Sequence, residues 1–114
     1  MAAEKQNFKM FKGESKRLII TVTEPDGTPV DLTGSEIVWV MQRQLYNLTE
    51  PRVSKETGDG IDILPGGVFH VHLDPADTLD IPKGYYIHEA EVKDMNGHIV
   101  VVTIGTVELA PSIT

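Results

Sequence analysis

Hydrophobic and polar residues alternate along much of this chain with the two-residue period of strands that bury one face. The clearest example is residues 16–23, in which Leu18, Ile20 and Val22 occupy every second position. Less regular patterns predict further strands, at residues 8–11, 36–44, 61–64, 68–73, 85–94 and 99–109. Together the patterns predict about seven or eight short strands.

Residues typical of tight turns separate these strands. Residues 24–29 combine two prolines, whose φ is fixed, with Asp26 and Gly27, which favour chain reversal. The sequence Pro-Gly-Gly at 65–67 and Asn-Gly at 96–97 predict two hairpins. Asp74 followed by Pro75 fits the cap and first position of a helix, so a single helical turn is predicted near 75–80.

No segment shows a long helical period, and the fold class is therefore predicted to be all-β. The expected architecture is an antiparallel immunoglobulin-like β-sandwich of about seven or eight short strands, with at most one short helical turn near 75–80. The chain has 114 residues without a shift in composition, which predicts a polar N-terminal tail at 1–12, with a short first strand, and one domain at 13–114. Residues 45–57 lack a clear period and are predicted to form a loop with one short edge strand at most.

The charge balance bears on the partners. Seventeen acidic and ten basic residues give a formal charge of −7, which disfavours binding to nucleic acid or to an anionic membrane. The chain has no Cys, which excludes disulfide bonds and thiolate metal sites. The polar start and the short apolar runs predict a protein that is made in the cytoplasm without a signal peptide or a membrane span.

Histidines raise the question of a metal site. His70 and His72 share one strand face, but two ligands do not make a zinc site, and they are expected to be surface residues opposite a core face. His88 is expected to point inward with Tyr86 and Ala90, as a hydrogen-bonded core histidine. No metal or cofactor is therefore predicted.

Carboxylates likewise form no recognisable catalytic or calcium-binding pattern. Asp74, Asp77 and Asp80 repeat every three residues but lack the pattern of a calcium loop, so helix capping and solvation explain them better. Four further aspartates would pair as catalytic carboxylates only if the fold brought two of them together across a cleft. They are Asp26, Asp31, Asp59 and Asp62. No catalytic residue is predicted, and the protein is not expected to be an enzyme.

Two predicted strands are apolar on both faces, around residues 37–41 and 99–104. A strand of a free two-layer sandwich usually presents a polar face to water, so something is expected to cover the second face. The predicted protein interface consists of Val38, Val40, Val100, Val102 and Ile104, with Tyr46 and Leu48 of the 45–57 loop at its rim. The alternative is that this loop or the N-terminal tail folds over the same residues.

The turn segments occur in an ordered series that covers nearly the whole chain. They are Gly-Glu-Ser at 13–15, Asp-Gly-Thr-Pro-Val-Asp-Leu-Thr-Gly at 26–34, Thr-Gly-Asp-Gly-Ile at 57–61, Leu-Asp-Pro-Ala-Asp-Thr at 73–78, Gly-Tyr-Tyr at 84–86, Asp-Met-Asn-Gly at 94–97 and Gly-Thr-Val at 105–107. In this order the chain resembles the small immunoglobulin-like domains of tailed-bacteriophage and prophage structural proteins, similar to the N-terminal domain of upper baseplate proteins. It differs from them at His88, where an aromatic residue is frequent, and in its longer 45–57 segment.

The resemblance implies a non-enzymatic structural component of a virion, an assembly module of the tail, baseplate or fibre-attachment region. Its expected partners are other phage structural proteins, in a symmetric assembly of several copies, with synthesis in the bacterial host cytoplasm. One alternative is a capsid decoration protein. Another is a carbohydrate or host-surface binding module, which would need exposed aromatic residues for stacking, from among Tyr46, Tyr85 and Trp39.

Overall fold

A computed structural model of the chain describes residues 4–43 and 53–113. Within these residues the strands and the one helix follow one another in a simple order. They are β1 (Glu4–Lys5), β2 (Phe8–Phe11), β3 (Lys16–Thr21), β4 (Glu36–Arg43), β5 (Val53–Thr57), β6 (Gly60–Leu64), β7 (Val68–Leu73), α1 (Pro75–Leu79), β8 (Gly84–Lys93) and β9 (Ile99–Ala110).

All of these strands belong to one hydrogen-bonded sheet, in the order β1-β9-β8-β4-β5-β6-β7-β3, with β2 also paired to β9. Neighbours are antiparallel except where β1 and β2 meet β9 and where β5 meets β6. The β5–β6 contact involves only two residue pairs, Glu56 with Gly60 and Thr57 with Ile61. The prediction of an all-β protein is confirmed, and the strands form a single nearly closed, barrel-like sheet.

The sheet encloses one hydrophobic core, to which both of its halves contribute. On one side, Leu18 and Ile20 of β3 are paired with Val71 and Phe69 of β7, and all four side chains are buried. On the other side, the core residues of β4 and β8 alternate with outward-facing residues, as the two-residue period predicts. The core of that half includes Ile37, Trp39, Met41, Tyr86, His88 and Ala90.

A β-bulge interrupts the pairing of β8 with β9. Ala90 is opposite Thr103 and Glu91 is opposite Val101, so that β9 has one extra residue, Val102, at this point. A bulge shifts the alternation of side chains by one position. As a result Val102 and Thr103 are both buried, although they are consecutive.

The short helix α1 confirms the helical turn predicted near 75–80. The amide of Asp74 donates a 2.6 Å hydrogen bond to Oδ2 of Asp77, which satisfies one of the groups left free at the start of a helix. The Asp77 carboxylate also pairs with Nζ of Lys55 at 2.9 Å. The buried Thr78 hydroxyl accepts a hydrogen bond from the amide of Gly13, so α1 anchors the turn between β2 and β3.

Two segments differ from the sequence-based expectation. The predicted 45–57 loop contains β5, which lies inside the sheet between β4 and β6 and is therefore not an edge strand. Residues 44–52 lie outside the described residues. In the predicted N-terminal tail, residues from 4 onward pair with β9 as the two strands β1 and β2.

Gly66 and Gly67 form the turn between β6 and β7 and provide a matched test of this packing. Both have positive φ, 85° and 76°, so alanine at either position costs about 1–2 kcal/mol of backbone strain. A Cβ at Gly67 would also lie 2.6 Å from the Val22 carbonyl oxygen, whereas a Cβ at Gly66 meets nothing within 4 Å. We expect Gly66→Ala to lower the free energy of unfolding by about 1 kcal/mol, and Gly67→Ala by about 3 kcal/mol or more, in urea titrations. Equal losses for the two variants would contradict the close contact at Gly67.

Candidate functional site

The side of β4, β8 and β9 that faces away from the core forms a continuous surface, which we call the outer face. Val38 is 38% exposed, Val40 is half-buried and Ile104 is 46% exposed. The strand register places Val40, Glu89 and Ile104 in one row across the three strands. The next row consists of Val38, Glu91 and Val101. Three of the predicted interface residues, Val38, Val40 and Ile104, therefore lie on one surface.

The expectation that Val100 and Val102 project outward with these residues is wrong. Val102 is only 3% exposed and belongs to the core, and the half-buried Val100 packs against the core. The physical reason is the bulge, because it places Val102 on the core side while Ile104, two positions later, lies on the outer side. The other two predicted interface residues, Tyr46 and Leu48, lie outside the described residues.

The predicted interface did not include the two outward-facing glutamates of β8, although the strand itself was predicted at residues 85–94. Glu89 and Glu91 of β8 lie half-buried between the apolar residues of β4 and those of β9. Near Glu89 the surface contains a cavity of about 260 Å³, and the residues that line it are Val40, Gln42, Ile87, His88, Glu89 and Ile104. The sequence contained a signal for the outward position of Glu89 and Glu91, since the inward-pointing residues Tyr86, His88 and Ala90 require the intervening residues to face outward.

The outer face is acidic as well as apolar. Glu56 of β5 is opposite Val38, and it adds a third carboxylate to those of Glu89 and Glu91. Within residues 4–43 and 53–113, none of these three glutamates takes part in an ion pair. Lys93, a basic residue near one end of the face, is paired in register with Glu36. In the described parts of the chain, the face therefore presents aliphatic side chains interspersed with carboxylates that form no ion pair.

His88 lies beneath the outer face, in the core, and is hydrogen bonded as the sequence predicts. Its Nδ1 accepts a 3.0 Å hydrogen bond from Nε1 of Trp39, and its Nε2 lies 2.6 Å from the carbonyl oxygen of Gln6. The ring of Phe8 packs edge-on against the imidazole at 5.1 Å between centroids. Burial lowers the pKa of His88, and the hydrogen bond to Gln6 partly opposes this shift.

The remaining histidines lie at the surface or in turns. His70 and His72 share the solvent side of β7, with ring centroids 6.2 Å apart, and Nε2 of His72 is 2.8 Å from Oδ2 of Asp62. His98 is exposed in the β8–β9 turn, beside Asp94. In the part of the chain that the structure describes, no three His, Asp or Glu side chains are placed to hold a metal ion.

Three of the aspartates stabilise turns. Asp26 accepts a hydrogen bond from the amide of Thr28, and this bond lowers the pKa of its carboxyl. Hydrogen bonds from the side chain and the amide of Thr33 have the same effect on the pKa of Asp31. The amide of His98 donates a hydrogen bond to Asp94, and this bond is the main cause of the lowered pKa of the Asp94 carboxyl. These contacts are those of side-chain caps on tight turns.

The chain matches no model of a known protein family and no curated protein. Among the described residues, no helix has the length and apolarity needed to cross a membrane. Function is therefore inferred from the outer face and from the order of the turn segments.

Val102 lies in the core and Ile104 lies on the outer face, although the two residues are only two positions apart on β9. Val102→Asp would bury a carboxylate without a partner, so we expect it to lower the free energy of unfolding by about 3 kcal/mol or more. Ile104→Asp places the same group on the outer face and should cost less than about 1 kcal/mol. Chemical denaturation of both variants, read by the fluorescence of Trp39, distinguishes the two positions. Similar stability of the two variants would contradict the placement of Val102 in the core and of Ile104 on the outer face.

Proposed function

We propose that the protein is a non-enzymatic assembly module of a bacteriophage virion, which docks through its outer face onto a partner in the tail, baseplate or fibre-attachment region. The observation that supports a docking role is the outer face, where exposed aliphatic residues surround glutamates that form no ion pair with another described residue. The phage assignment rests on the ordered turn segments described above, from residues 13–15 to 105–107.

We further propose that the nearly closed sheet is an immunoglobulin-like arrangement of two layers. One layer would consist of β9, β8, β4 and β5, and the other of β6, β7 and β3, with the core between them. The two-residue contact between β5 and β6 is then the crossing from one layer to the other. In this arrangement the outer face is the side of the first layer opposite the core, and it is the side on which a partner would dock.

The composition of the outer face indicates the kind of partner surface that would fit. Contiguous aliphatic side chains on a sheet favour contact with another apolar surface, because their burial removes apolar area from water. The carboxylates of Glu89 and Glu91 would be buried by the same contact, and burying them is favourable only if they gain cationic partners. The partner is therefore expected to present Lys or Arg side chains among aliphatic ones.

In a virion this docking would be repeated by symmetry. Several copies of the protein would each present one outer face to equivalent sites on a ring or trimer of the partner. The protein would be synthesised in the cytoplasm of the bacterial host and would become part of the particle during assembly.

A carbohydrate-binding role has weaker support. Trp39 is fully buried and its indole N–H is bonded to His88, so it cannot stack on a sugar. Tyr85 is 62% exposed and is the remaining candidate among the described residues. Tyr46 lies outside them. A single exposed tyrosine is a poor platform for a glycan.

The location of the protein can be tested by electron microscopy of particles purified from an induced or infected culture and labelled with a gold-conjugated antibody to the protein. Gold at the tail tip or along the tail is the expected result. Gold distributed over the head would favour the capsid decoration alternative. Particles without label, from a culture in which the protein is detected by immunoblot, would contradict the virion assignment.

Charge reversal on the outer face tests the docking proposal. We expect Glu89→Lys combined with Glu91→Lys to reduce incorporation into particles about tenfold or more, because repulsion replaces attraction at the centre of the contact. Incorporation is measured by immunoblot of particles assembled in cells that supply the variant in place of the original protein.

The matched control is Glu24→Lys combined with Asp80→Lys, which changes the net charge equally at two exposed positions away from the outer face. The control should incorporate normally, and thermal unfolding should show that both double variants remain folded. A folded outer-face variant that incorporates as well as the control would refute docking through this face.

A further inference from the structure

The N-terminal segment formed by residues 4–11 is attached to the rest of the molecule along one side of β9. The amide of Gln6 donates a 2.9 Å hydrogen bond to the carbonyl oxygen of Ile104. The side chain of Asn7 accepts a 2.9 Å hydrogen bond from the amide of Thr106. The side chain of Met10 is buried in the core. Both short strands of the segment run parallel to β9. The segment therefore closes one edge of the sheet.

The neutral form of His88 is required by its two hydrogen-bond partners. The indole Nε1–H of Trp39 can only donate, so Nδ1 of His88 must carry a lone pair. The carbonyl oxygen of Gln6 can only accept, so Nε2 must carry the proton. Protonation of Nδ1 would set two donors against each other and would place a positive charge in the core.

The surroundings of His88 contain charged groups, but none is bonded to the imidazole. Glu89 follows it on β8 and faces outward, and Nζ of Lys16 from β3 lies 5.3 Å from the centroid of the intervening Phe8 ring. From β4, Arg43 stacks on Tyr86. On the exposed side of the segment, Lys9 of β2 is 3.9 Å from Glu108 of β9. Within the described residues, the imidazole is hydrogen bonded to uncharged groups alone, Trp39 and Gln6.

Gly105 shows how closely the segment approaches the sheet at the same point. A Cβ at this position would lie 1.9 Å from the carbonyl oxygen of Gln6 and 2.9 Å from Nε2 of His88. Only a residue without a side chain therefore allows the Gln6 carbonyl to reach the imidazole. The hydrogen bond between His88 and Gln6 depends on this glycine.

We propose that the N-terminal segment, residues 4–11, is held in place by neutral His88 and can be released. Protonation of His88 detaches the segment and opens the edge of β9. Detachment exposes the imidazole to water, where it can carry a charge. The indole N–H of Trp39 and the carbonyl of Gln6 then form hydrogen bonds with water instead. The edge that opens extends along the backbone from Thr103 to Ala110. This device is separate from the outer face and does not depend on its proposed role.

The direction of the pH dependence follows from the two states of His88. In the closed form the pKa of His88 is lowered by burial, whereas in the released form it should return to the ordinary value of 6.5. The released form then binds more protons, so the stability of the closed form is fully present above that value and is lost as the pH falls below it. From about pH 7.5 down to about pH 5.5, the equilibrium for release should rise by up to about tenfold, the limit that applies when His88 of the closed form stays neutral.

Hydrogen–deuterium exchange of the full chain measures this release. Protection of the amides of residues 6–12, corrected for the intrinsic effect of pH on exchange, should fall measurably between these two conditions, by up to about tenfold. Amides of β4 and β8 should keep their protection. Unchanged protection of residues 6–12, or an equal loss in β4 and β8, would overturn the proposal, since either result excludes a local release.

Two variants identify His88 as the group responsible. His88→Gln keeps a donor for Gln6 and an acceptor for Trp39 but does not titrate, so the acid-induced loss of protection should disappear. His98→Gln, the control, removes an exposed histidine and should leave the loss unchanged. An acid-induced loss in His88→Gln equal to that of the original chain would overturn the proposal.

Gly105→Ala provides an independent measurement that does not involve titration. Its Cβ prevents the approach of the Gln6 carbonyl, so residues 6–12 should be unprotected even at about pH 7.5, while β4 and β8 remain protected. Full protection of the segment in a folded Gly105→Ala chain would show that it is not held through this contact, and would overturn the proposal even if the His88 variant did not fold.

Discussion

The pairing of β9 with β8, including the extra residue Val102, is the constraint on which both faces of the molecule depend. On one side of the bulge the residues Thr103, Gly105 and Val107 point into the core, so Ile104 and Thr106 must face outward. Without the extra residue the two sets would exchange places. Ile104 would then be buried, and Gly105 would not lie beneath the Gln6 carbonyl. The core, the outer face and the attachment of the N-terminal segment thus follow from one irregularity in one strand pair.

Much of the fold was predictable because local patterns report local structure. The alternation of Leu18 and Ile20 identified β3, and the Asn96-Gly97 turn identified the β8–β9 hairpin. The inward position of His88 also followed from its place between Tyr86 and Ala90. In each of these cases the signal lies within a few residues of the feature that it predicts.

The features that sequence did not predict depend on contacts between distant residues. Nothing in the run of valines at 100–102 shows where β9 gains a residue relative to β8, so Val102 was placed on the wrong side. The partner of His88 was equally hidden, since Gln6 contributes only a backbone carbonyl, a group that every residue possesses. The parallel pairing of the N-terminal strands with β9 and the single continuous sheet likewise arise from tertiary packing rather than from local propensity.

The attachment of the N-terminal segment to β9 also constrains the order of folding. Asn7 and Thr106, which are joined by a hydrogen bond, are separated by 99 residues in sequence. During translation the segment is synthesised before its partner strand, β9, which is the last strand of this domain. The segment therefore stays unpaired while the other strands form. Closing so long a loop is a slow, late event in folding. Until β9 is synthesised, the nascent domain would therefore expose the unpaired edge of β8 to chaperones and to neighbouring chains, and afterwards it would expose the edge of β9 until the N-terminal segment pairs with it.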